Sequence, residues 1–296
     1  MMKTTEQLLQ PVTTPVVEKQ KSPSVLKTAF LILIVAAIMV PIAGDALLSL
    51  RFSRQVSQLF SHAVKVAAPP FSHRQLAGLP DPVQRYFKHV LKEGQAPVQT
   101  MRMLQNGQFR TDLKKDWINL DGEEYLTADK PGFVWQGKAY MFTARDMYLA
   151  DRGKLAVYVY HIFEVQQAEG KKSDEAELMR WATESVCSPT NLLPRKNLQW
   201  QPIDDKSARL NFKYNNISLF FKVTFNDKNE IVQMETDRYN IDGNKEKWIF
   251  KPGNYQVLGG MLIPTALESG WHLREGYSPY AILNITKIEY NKYRMF

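Results

Sequence analysis

The amino-acid sequence predicts an α+β protein, in which an N-terminal transmembrane helix is followed by a large antiparallel β-sheet with two or three covering helices. Three observations lead to this fold class. One long apolar run stands near the N-terminus, two amphipathic helical patterns occur after it, and most of the remaining chain alternates apolar and polar residues in short segments. The connections between those segments are too short for the crossover helices that parallel strands require.

Length and composition limit the class of protein. The chain has 296 residues, of which 44% are hydrophobic and 23% charged, and its mean hydropathy is -0.34. These values exclude a wholly disordered chain and a protein with several membrane spans. The formal net charge is +8, but the basic residues are spread along the chain and form no cluster interleaved with aromatic residues. We therefore expect no nucleic-acid partner.

The apolar run defines the predicted membrane segment. Ala29 to Gly44 are 16 residues without a charge, and the run resumes after Asp45 and continues to Leu50. Sixteen helical residues measure about 24 Å and twenty-two about 33 Å, against a hydrocarbon core of roughly 30 Å. Residues 29–50 are therefore predicted to span the lipid bilayer.

A cleaved signal peptide is the alternative, because the uncharged core is short and small residues at Gly44 and Ala46 resemble a cleavage site. The 28 residues before the core favour a retained anchor. Three basic residues closely precede the run and three come after it, so their number does not set the orientation. We expect the C-terminal domain on the extracytoplasmic side, because a single N-terminal span commonly exports the domain that comes after it.

Four parts are predicted along the chain. Residues 1–28 form a disordered polar tail, and residues 29–50 form the transmembrane helix. Residues 51–78 form a juxtamembrane helix and a Pro-rich linker. Residues 79–296 form a single antiparallel-sheet α+β domain.

Two helices and many strands are predicted within that domain. One helix begins with Asp81 as its N-cap and Pro82 at its first helical position. The second begins at Ser173, where Asp174 and Glu177 fit a capping box. Strands follow the alternation of apolar and polar residues, one of them over residues 155–165, and Asp-, Asn- and Gly-containing turns separate them.

The sequence has no motif of a known active site or metal site. It lacks a phosphate-binding loop, a dinucleotide fingerprint, a His-Glu-x-x-His helix and a nucleophile elbow. Its five histidines have no ligand spacing, and its single cysteine, Cys187, cannot form an intramolecular disulfide. We expect no metal, no cofactor and a non-catalytic protein.

Adjacent acidic and basic residues on the strands are candidate binding groups. Arg145 precedes Asp146, and Asp237 precedes Arg238. Neighbouring residues of a strand point to opposite faces, so one member of each pair is predicted to point inward. An inward arginine would bind a lipid phosphate or carboxylate, and a structural ion pair is the alternative. The many aromatic residues either line an apolar cavity or fill a solid core.

Several segments resemble an uncharacterised bacterial domain-of-unknown-function family whose members are often anchored by N-terminal apolar helices. The segments include LPDPVQRYFKHVL, PGFVWQGKAYMF, RDMYLADRGKL, ELMRWATES and IPTALESGWHL. The resemblance covers residues 79–290 and implies an architecture without a mechanism. Its motif residues are the candidate ligand-binding positions, namely Arg85, Trp135, Arg145, Asp146, Glu184, Arg238 and Trp271, with Trp200 and Asp204 beside them.

The second half of the chain is similar in strand pattern to LolA-like and LppX-like lipoprotein carriers. That resemblance implies a half-barrel that holds acyl chains against covering helices. The predicted function is therefore a membrane-anchored envelope protein that binds a lipid or another apolar ligand in its concave sheet. A structural or protein-interaction module of the envelope is the alternative. A hydrolase-type enzyme, which would need Glu184, Asp146 or His89 to meet in one polar pocket, is the third hypothesis.

Overall fold

The computed structural model describes residues 25–63 and 69–296. The first 24 residues of the predicted polar tail and part of the predicted linker, residues 64–68, lie outside the described residues. The chain divides into two units, Met1–Val40 and Pro41–Phe296. Helix α1, Val25–Ser61, supplies the described part of the first unit and continues into the second.

Over Lys27–Ser61, helix α1 is long and apolar enough to cross a membrane. From Phe30 to Ile42 its large apolar side chains are exposed. After Gly44 one face of the helix is buried, at positions three or four residues apart, by packing within the second unit. The buried side chains of this face are Leu48, Phe52, Val56 and Leu59. The two parts of α1 therefore have different environments.

A 13-stranded antiparallel sheet forms most of the second unit. The strands are β1 Thr100–Phe109, β2 Ile118–Thr127, β3 Gly132–Ala139, β4 Phe142–Leu149, β5 Arg152–Val159, β6 Phe163–Glu169, β7 Leu198–Asp204, β8 Ser207–Tyr214, β9 Ile217–Phe225, β10 Ile231–Tyr239, β11 Lys245–Leu258, β12 Met261–Leu273 and β13 Gly276–Tyr290. Their order is β6-β5-β4-β3-β2-β1-β13-β12-β11-β10-β9-β8-β7. Two meanders, β1–β6 and β7–β13, are thus joined where β1 pairs with β13.

Helices α2, Asp81–Val90, and α3, Lys171–Glu184, belong to the same unit. Short 3₁₀ turns at Ser185–Cys187 and Pro189–Leu192 extend α3. Helix α2 buries one face, which its apolar spacing predicts.

The predicted capping box of the second helix is wrong. Helix α3 begins at Lys171, after Gly170, without a side-chain cap. The carboxylate of Asp174 instead accepts a hydrogen bond from the Gly153 backbone N–H at 2.7 Å. Glu177 points away from the helix terminus toward β10. Tertiary partners have replaced the local capping contacts, which a sequence pattern cannot anticipate.

The sheet curves strongly around α3. Tyr148 of β4 and Tyr214 of β8 are nine strands apart in the sheet order, a distance of about 43 Å in a flat sheet. Their ring centroids are only 6.4 Å apart. Trp181 of α3 contacts Phe212 of β8 with ring centroids 5.2 Å apart. The predicted curved antiparallel sheet with covering helices is therefore confirmed, and its concave face is the one that faces α3.

The convex face is covered over part of its area by the second part of α1. Phe52, Val56 and Leu59 form a cluster there with Tyr125, Val134 and Met147. Strands β2 to β4 are thus buried on both faces, by α1 on one side and by the core beneath α3 on the other.

Gly153, near the start of β5, lies directly against the first turn of α3. A Cβ atom there would overlap the backbone carbonyl of Ser173. We expect Gly153→Ala to lower the free energy of unfolding by about 1–3 kcal/mol, because backbone on both sides must shift. Urea denaturation measures the loss. Gly253→Ala is the matched control, since nothing lies within 4 Å of its added Cβ; an equal loss in both variants would contradict the explanation.

Candidate functional site

A cavity of about 180 Å³ lies between the concave face of the sheet and α3. Residues of β1, β3 to β6 and β10 to β13 line it together with α3. Much of the wall is apolar, with Phe109, Leu155, Val157, Phe250, Leu267 and Leu283. Charged side chains of β4, β10 and α3 project into the same space. A mostly apolar cavity with a few convergent polar groups is typical of a small-molecule site.

Five of the seven positions that the sequence nominated line this cavity. They are Trp135, Asp146, Glu184, Arg238 and Trp271. These residues come from four strands and a helix that are distant in sequence, so the curvature of the sheet is what brings them together.

The other two nominated positions, Arg85 and Arg145, do not line the cavity. Arg85 is exposed on α2 and hydrogen-bonds the turn between β7 and β8. Of the two neighbouring candidates, Trp200 is buried and its indole N–H donates to the Leu192 carbonyl at 2.9 Å. Asp204 is exposed at the end of β7.

Arg145 lies on the convex face, beneath α1, whereas the next residue, Asp146, faces the cavity. The guanidinium of Arg145 donates to the Leu48 carbonyl of α1 at 2.7 Å and to Gln55 Oε1 at 3.3 Å. Burial lowers the pKa of Arg145 to about 10. Asp146 therefore points into the cavity, whereas Arg145 binds α1.

Arg180 of α3 lies at the centre of a group of carboxylates. Its guanidinium forms ion pairs with Asp146, with Glu184 at 2.9 Å and with Glu124 at 3.8 Å. Asp146 and Glu184, two of the three groups considered for acid–base chemistry, therefore meet at one cation. The third, His89, is exposed on α2 and does not line the cavity.

Arg238 of β10 is the second arginine of the cavity that forms an ion pair with an acid. It donates to Glu177 Oε1 at 3.1 Å and to the Ala176 carbonyl at 3.0 Å. Its guanidinium lies 4.8 Å from the centre of the Trp248 ring, and the Trp248 indole donates to the Tyr280 hydroxyl at 3.0 Å. Arg180 and Arg238 are therefore already bound by acids of this chain, whereas Arg110, which also lines the cavity, donates to the Pro279 and Leu113 carbonyls.

The carboxyl cluster, Glu124, Asp146, Glu177 and Glu184, contains four acids for two guanidiniums. Burial, and then the charge of Glu184, raise the pKa of Glu124 well above its usual range. Burial also raises the pKa of Asp146 and raises that of Glu177 to about 8. Burial thus favours the protonated forms of these acids, which reduces the negative charge of the cluster.

Several buried oxygens of this cluster lack a hydrogen-bond partner among the described residues, and two of them, Glu177 Oε2 and Glu184 Oε2, belong to residues that line the cavity. Among the described residues, none forms a hydrogen bond with Glu177 Oε2, although the side chain is buried. Leaving a buried polar atom unsatisfied costs about 1–3 kcal/mol. Glu177 is thus an anchoring point for a polar group that enters the cavity.

Neither metal nor thiol chemistry is indicated at this site. In the part of the chain that the structure describes, no three His, Cys, Asp or Glu residues are placed to hold a metal ion. Cys187 is buried, and burial raises the pKa of its thiol well above the usual value. A buried thiol with a raised pKa is a poor nucleophile.

Two acids of the cluster, Glu124 and Glu177, and the arginine that pairs with the cluster, Arg180, are not among the positions that the sequence nominated. Glu177, Arg180 and Glu184 are spaced i, i+3 and i+7, which places them on one face of a helix. That spacing is visible in the sequence, but a polar helical face ordinarily meets water. Glu124 follows a second acid on a strand and carries no comparable signal.

A family model described as a family of unknown function, DUF6544, matches residues 69–283. No curated protein matches the sequence.

Similar solved structures include a LolA superfamily protein from Nitrosomonas europaea, with 10% identity, a TM-score of 0.41 and coverage of 73% of this chain and 95% of that one. A DUF1329 family protein from Desulfovibrio piger has 10% identity, a TM-score of 0.35 and coverage of 71% and 91%. An outer membrane lipoprotein-sorting protein domain from Vibrio parahaemolyticus has 9% identity, a TM-score of 0.35 and coverage of 72% and 92%. Scores at this level carry no ligand or activity over to this chain.

Proposed function

Because the chain belongs to DUF6544, a family of unknown function, its role must be inferred from its own residues, and we propose that it binds an amphiphile in the cavity beneath α3. The apolar part of the ligand lies along the concave sheet. Its polar end carries a positive charge or donates hydrogen bonds and meets the carboxyl cluster. This role requires no catalysis.

The apolar wall supports the first part of the proposal. Phe250, Leu267 and Leu283 belong to three adjacent strands and form a continuous apolar surface on the concave face. An unfilled apolar space in a protein interior forgoes the dispersion contacts that close packing provides. An apolar chain in the cavity would restore those contacts.

The carboxyl cluster supports the second part. At the carboxyl cluster, an anionic head group would find Arg180 and Arg238 already paired and would face acids instead. The other two cations of the lining, Arg110 and Lys172, donate to backbone carbonyls. An ammonium or other donor group would satisfy Glu177 Oε2, one of the cavity-wall oxygens without a partner among the described residues. The single observation that carries the proposal is this unsatisfied buried acid at the wall of a mostly apolar cavity.

We extend the proposal to a retained membrane anchor in α1 with the sheet domain on the extracytoplasmic side. Val25 to Ala43 as a helix measures about 28 Å, close to the thickness of the hydrocarbon core. From Gly44 onward the helix is packed against the sheet, which supports a span that ends at Ala43, before the predicted end at Leu50. An amphiphile that partitions into the bilayer is then within reach of the domain.

Native mass spectrometry of the full chain in a non-ionic detergent tests the ligand class. We expect decylamine to bind at least tenfold more tightly than decyl phosphate or decanol, which share its apolar chain. Ala168→Trp, which fills the cavity from the edge strand β6, and Glu177→Gln should each abolish the preference. Tighter binding of decyl phosphate than of decylamine, or no binding of any probe, would refute the proposal.

Matched controls separate the cavity from general effects of substitution. Gln167 is the exposed neighbour of Ala168 and points away from the cavity, and Glu175 of α3 does not line it. Gln167→Trp and Glu175→Gln should bind decylamine as the natural chain does.

The pH dependence gives a second check on the same interaction. With its pKa at about 8, Glu177 must release its proton before it can pair with an ammonium group. Decylamine affinity should therefore rise between pH 6 and pH 8, by up to about tenfold per pH unit, and level off above pH 8. A neutral donor such as decanol should show no such rise.

A further inference from the structure

Four exposed apolar and aromatic side chains form a surface at one end of the sheet, here called the hairpin-tip patch. Tyr140 and Met141 lie in the turn between β3 and β4, and Tyr160 and Phe163 flank the turn between β5 and β6. Tyr140 is 94% exposed and Phe163 62% exposed. The Tyr160 N–H donates to the Met141 carbonyl at 2.7 Å, which joins the two turns. Contiguous exposed apolar side chains of this kind mark interaction surfaces.

The patch is attached to α1 at the point where the exposed apolar run ends. Gly44 packs so closely on the second turn that an added Cβ would lie 2.6 Å from Ile162 Cγ1 and 2.7 Å from the His161 carbonyl. Asp45 forms an ion pair at 2.7 Å with Lys138, beside the first turn. The sequence from Phe30 to Ala43 directly precedes these contacts. If that run crosses the bilayer, chain connectivity alone keeps both turns near its surface.

In the second turn of the patch, between β5 and β6, the backbone conformation holds the Tyr160 ring outward. Tyr160 has φ 52° and His161 has φ 60°, values in the left-handed region that bulky residues rarely adopt. His161 is held by Thr143, whose Oγ1 lies 2.7 Å from His161 Nδ1. Strain of this kind persists where surrounding contacts enforce it, and it is commonly found at functional positions.

We propose that the hairpin-tip patch inserts into the interfacial region of the same bilayer that α1 spans, as a second membrane contact of the domain. Tyrosine and other amphipathic aromatic side chains favour the level of the lipid headgroups. Two contacts, a helix and a pair of turns, fix the tilt of the sheet against the bilayer, which one helix does not. The inference rests on the proposed anchor and is independent of the ligand.

Spin-label accessibility in liposomes of phosphatidylcholine and phosphatidylglycerol tests this contact on the full chain. The chain has one cysteine, Cys187, and it is buried, so labels report on introduced sites. Tyr140→Cys and Phe163→Cys probe the patch, and Leu33→Cys reports on the anchor. Val257→Cys, exposed on the hairpin between β11 and β12 at the other ends of the strands, is the aqueous control.

We expect labels at 140 and 163 to collide more with oxygen and less with a water-soluble nickel chelate than the label at 257. Leu33→Cys should show the strongest preference for oxygen. If the label at 33 lies in the bilayer but the labels at 140 and 163 are as accessible to the nickel chelate as the label at 257, the patch proposal is refuted and the anchor is retained. If the label at 33 is also accessible to the nickel chelate, both the anchor and the patch are refuted. Labels at 140 and 163 shielded from both reagents would instead indicate a protein partner and refute the lipid contact.

Discussion

Replacing Arg180 with methionine is expected to lower the free energy of unfolding by about 3–5 kcal/mol, because the variant leaves buried carboxylates without their cation. Asp146, Glu184 and Glu124 all face this guanidinium. Methionine fills a similar volume, so the loss reports the charge rather than a cavity. Urea denaturation of the full chain at pH 7 measures it.

The loss caused by Arg180→Met should be larger at pH 8 than at pH 5. Burial already holds the pKa values of Glu124 and Asp146 above their unfolded values of about 4, and removing the cation raises them further. The folded state then binds more protons than the unfolded state, so the stability of the variant falls as pH rises. Arg209→Met, at an exposed arginine over Phe220, is the control. A loss that is independent of pH, or equal to that of the control, would contradict the assignment.

Placing an aspartate at position 56 is expected to release residues 44–61 of α1 from the sheet. Val56 is fully buried against the convex face, and an unpaired buried charge costs about 3–5 kcal/mol. Hydrogen exchange of amides in this segment should accelerate by at least about a hundredfold, since each 1.4 kcal/mol is a factor of ten. Trypsin should also gain access to Arg54.

Ser57→Asp is the matched control for this variant, because the adjacent side chain is exposed. It should leave exchange in the segment unchanged. Undocking of α1 in Val56→Asp should also expose Tyr125, Val134 and Met147 and promote aggregation in the absence of lipid. If exchange in Val56→Asp matched that in Ser57→Asp, the docked helix would not be a stable part of the domain.

Alternation and turn composition were sufficient to predict the fold class, since almost every connection in the sheet is a hairpin. They predicted the strand boundaries wrongly where a turn lacks the usual turn residues. Residues 155–165 were predicted to form one strand, whereas the structure has β5, a turn at Tyr160 and His161, and β6. No Gly, Asn or Asp marks that turn, because contacts with α1 and Thr143 rather than local propensity hold its left-handed backbone.

The candidate site was predicted less completely than the fold. Alternation predicts that one member of each acid–base pair points inward, but it does not say which one. Asp146 points inward in the first pair and Arg238 in the second, because Arg145 has carbonyl and amide partners on α1 and Arg238 has Glu177 on α3. Which residue faces the cavity is therefore decided by partners more than 50 residues away in sequence.

Within residues 25–63 and 69–296, the thirteen strands do not close into a barrel, so the sheet has two unpaired edge strands, β6 and β7. An open edge is a template for pairing with another chain. Strand β6 carries exposed Glu164 and Glu169, and β7 contains Pro202, which has no backbone N–H to donate. Charge repulsion on one edge and a missing donor on the other oppose edge-to-edge fibre formation. If α1 anchors the domain in a bilayer, as we propose, the domain can reach a high local concentration on that surface without polymerising through its sheet.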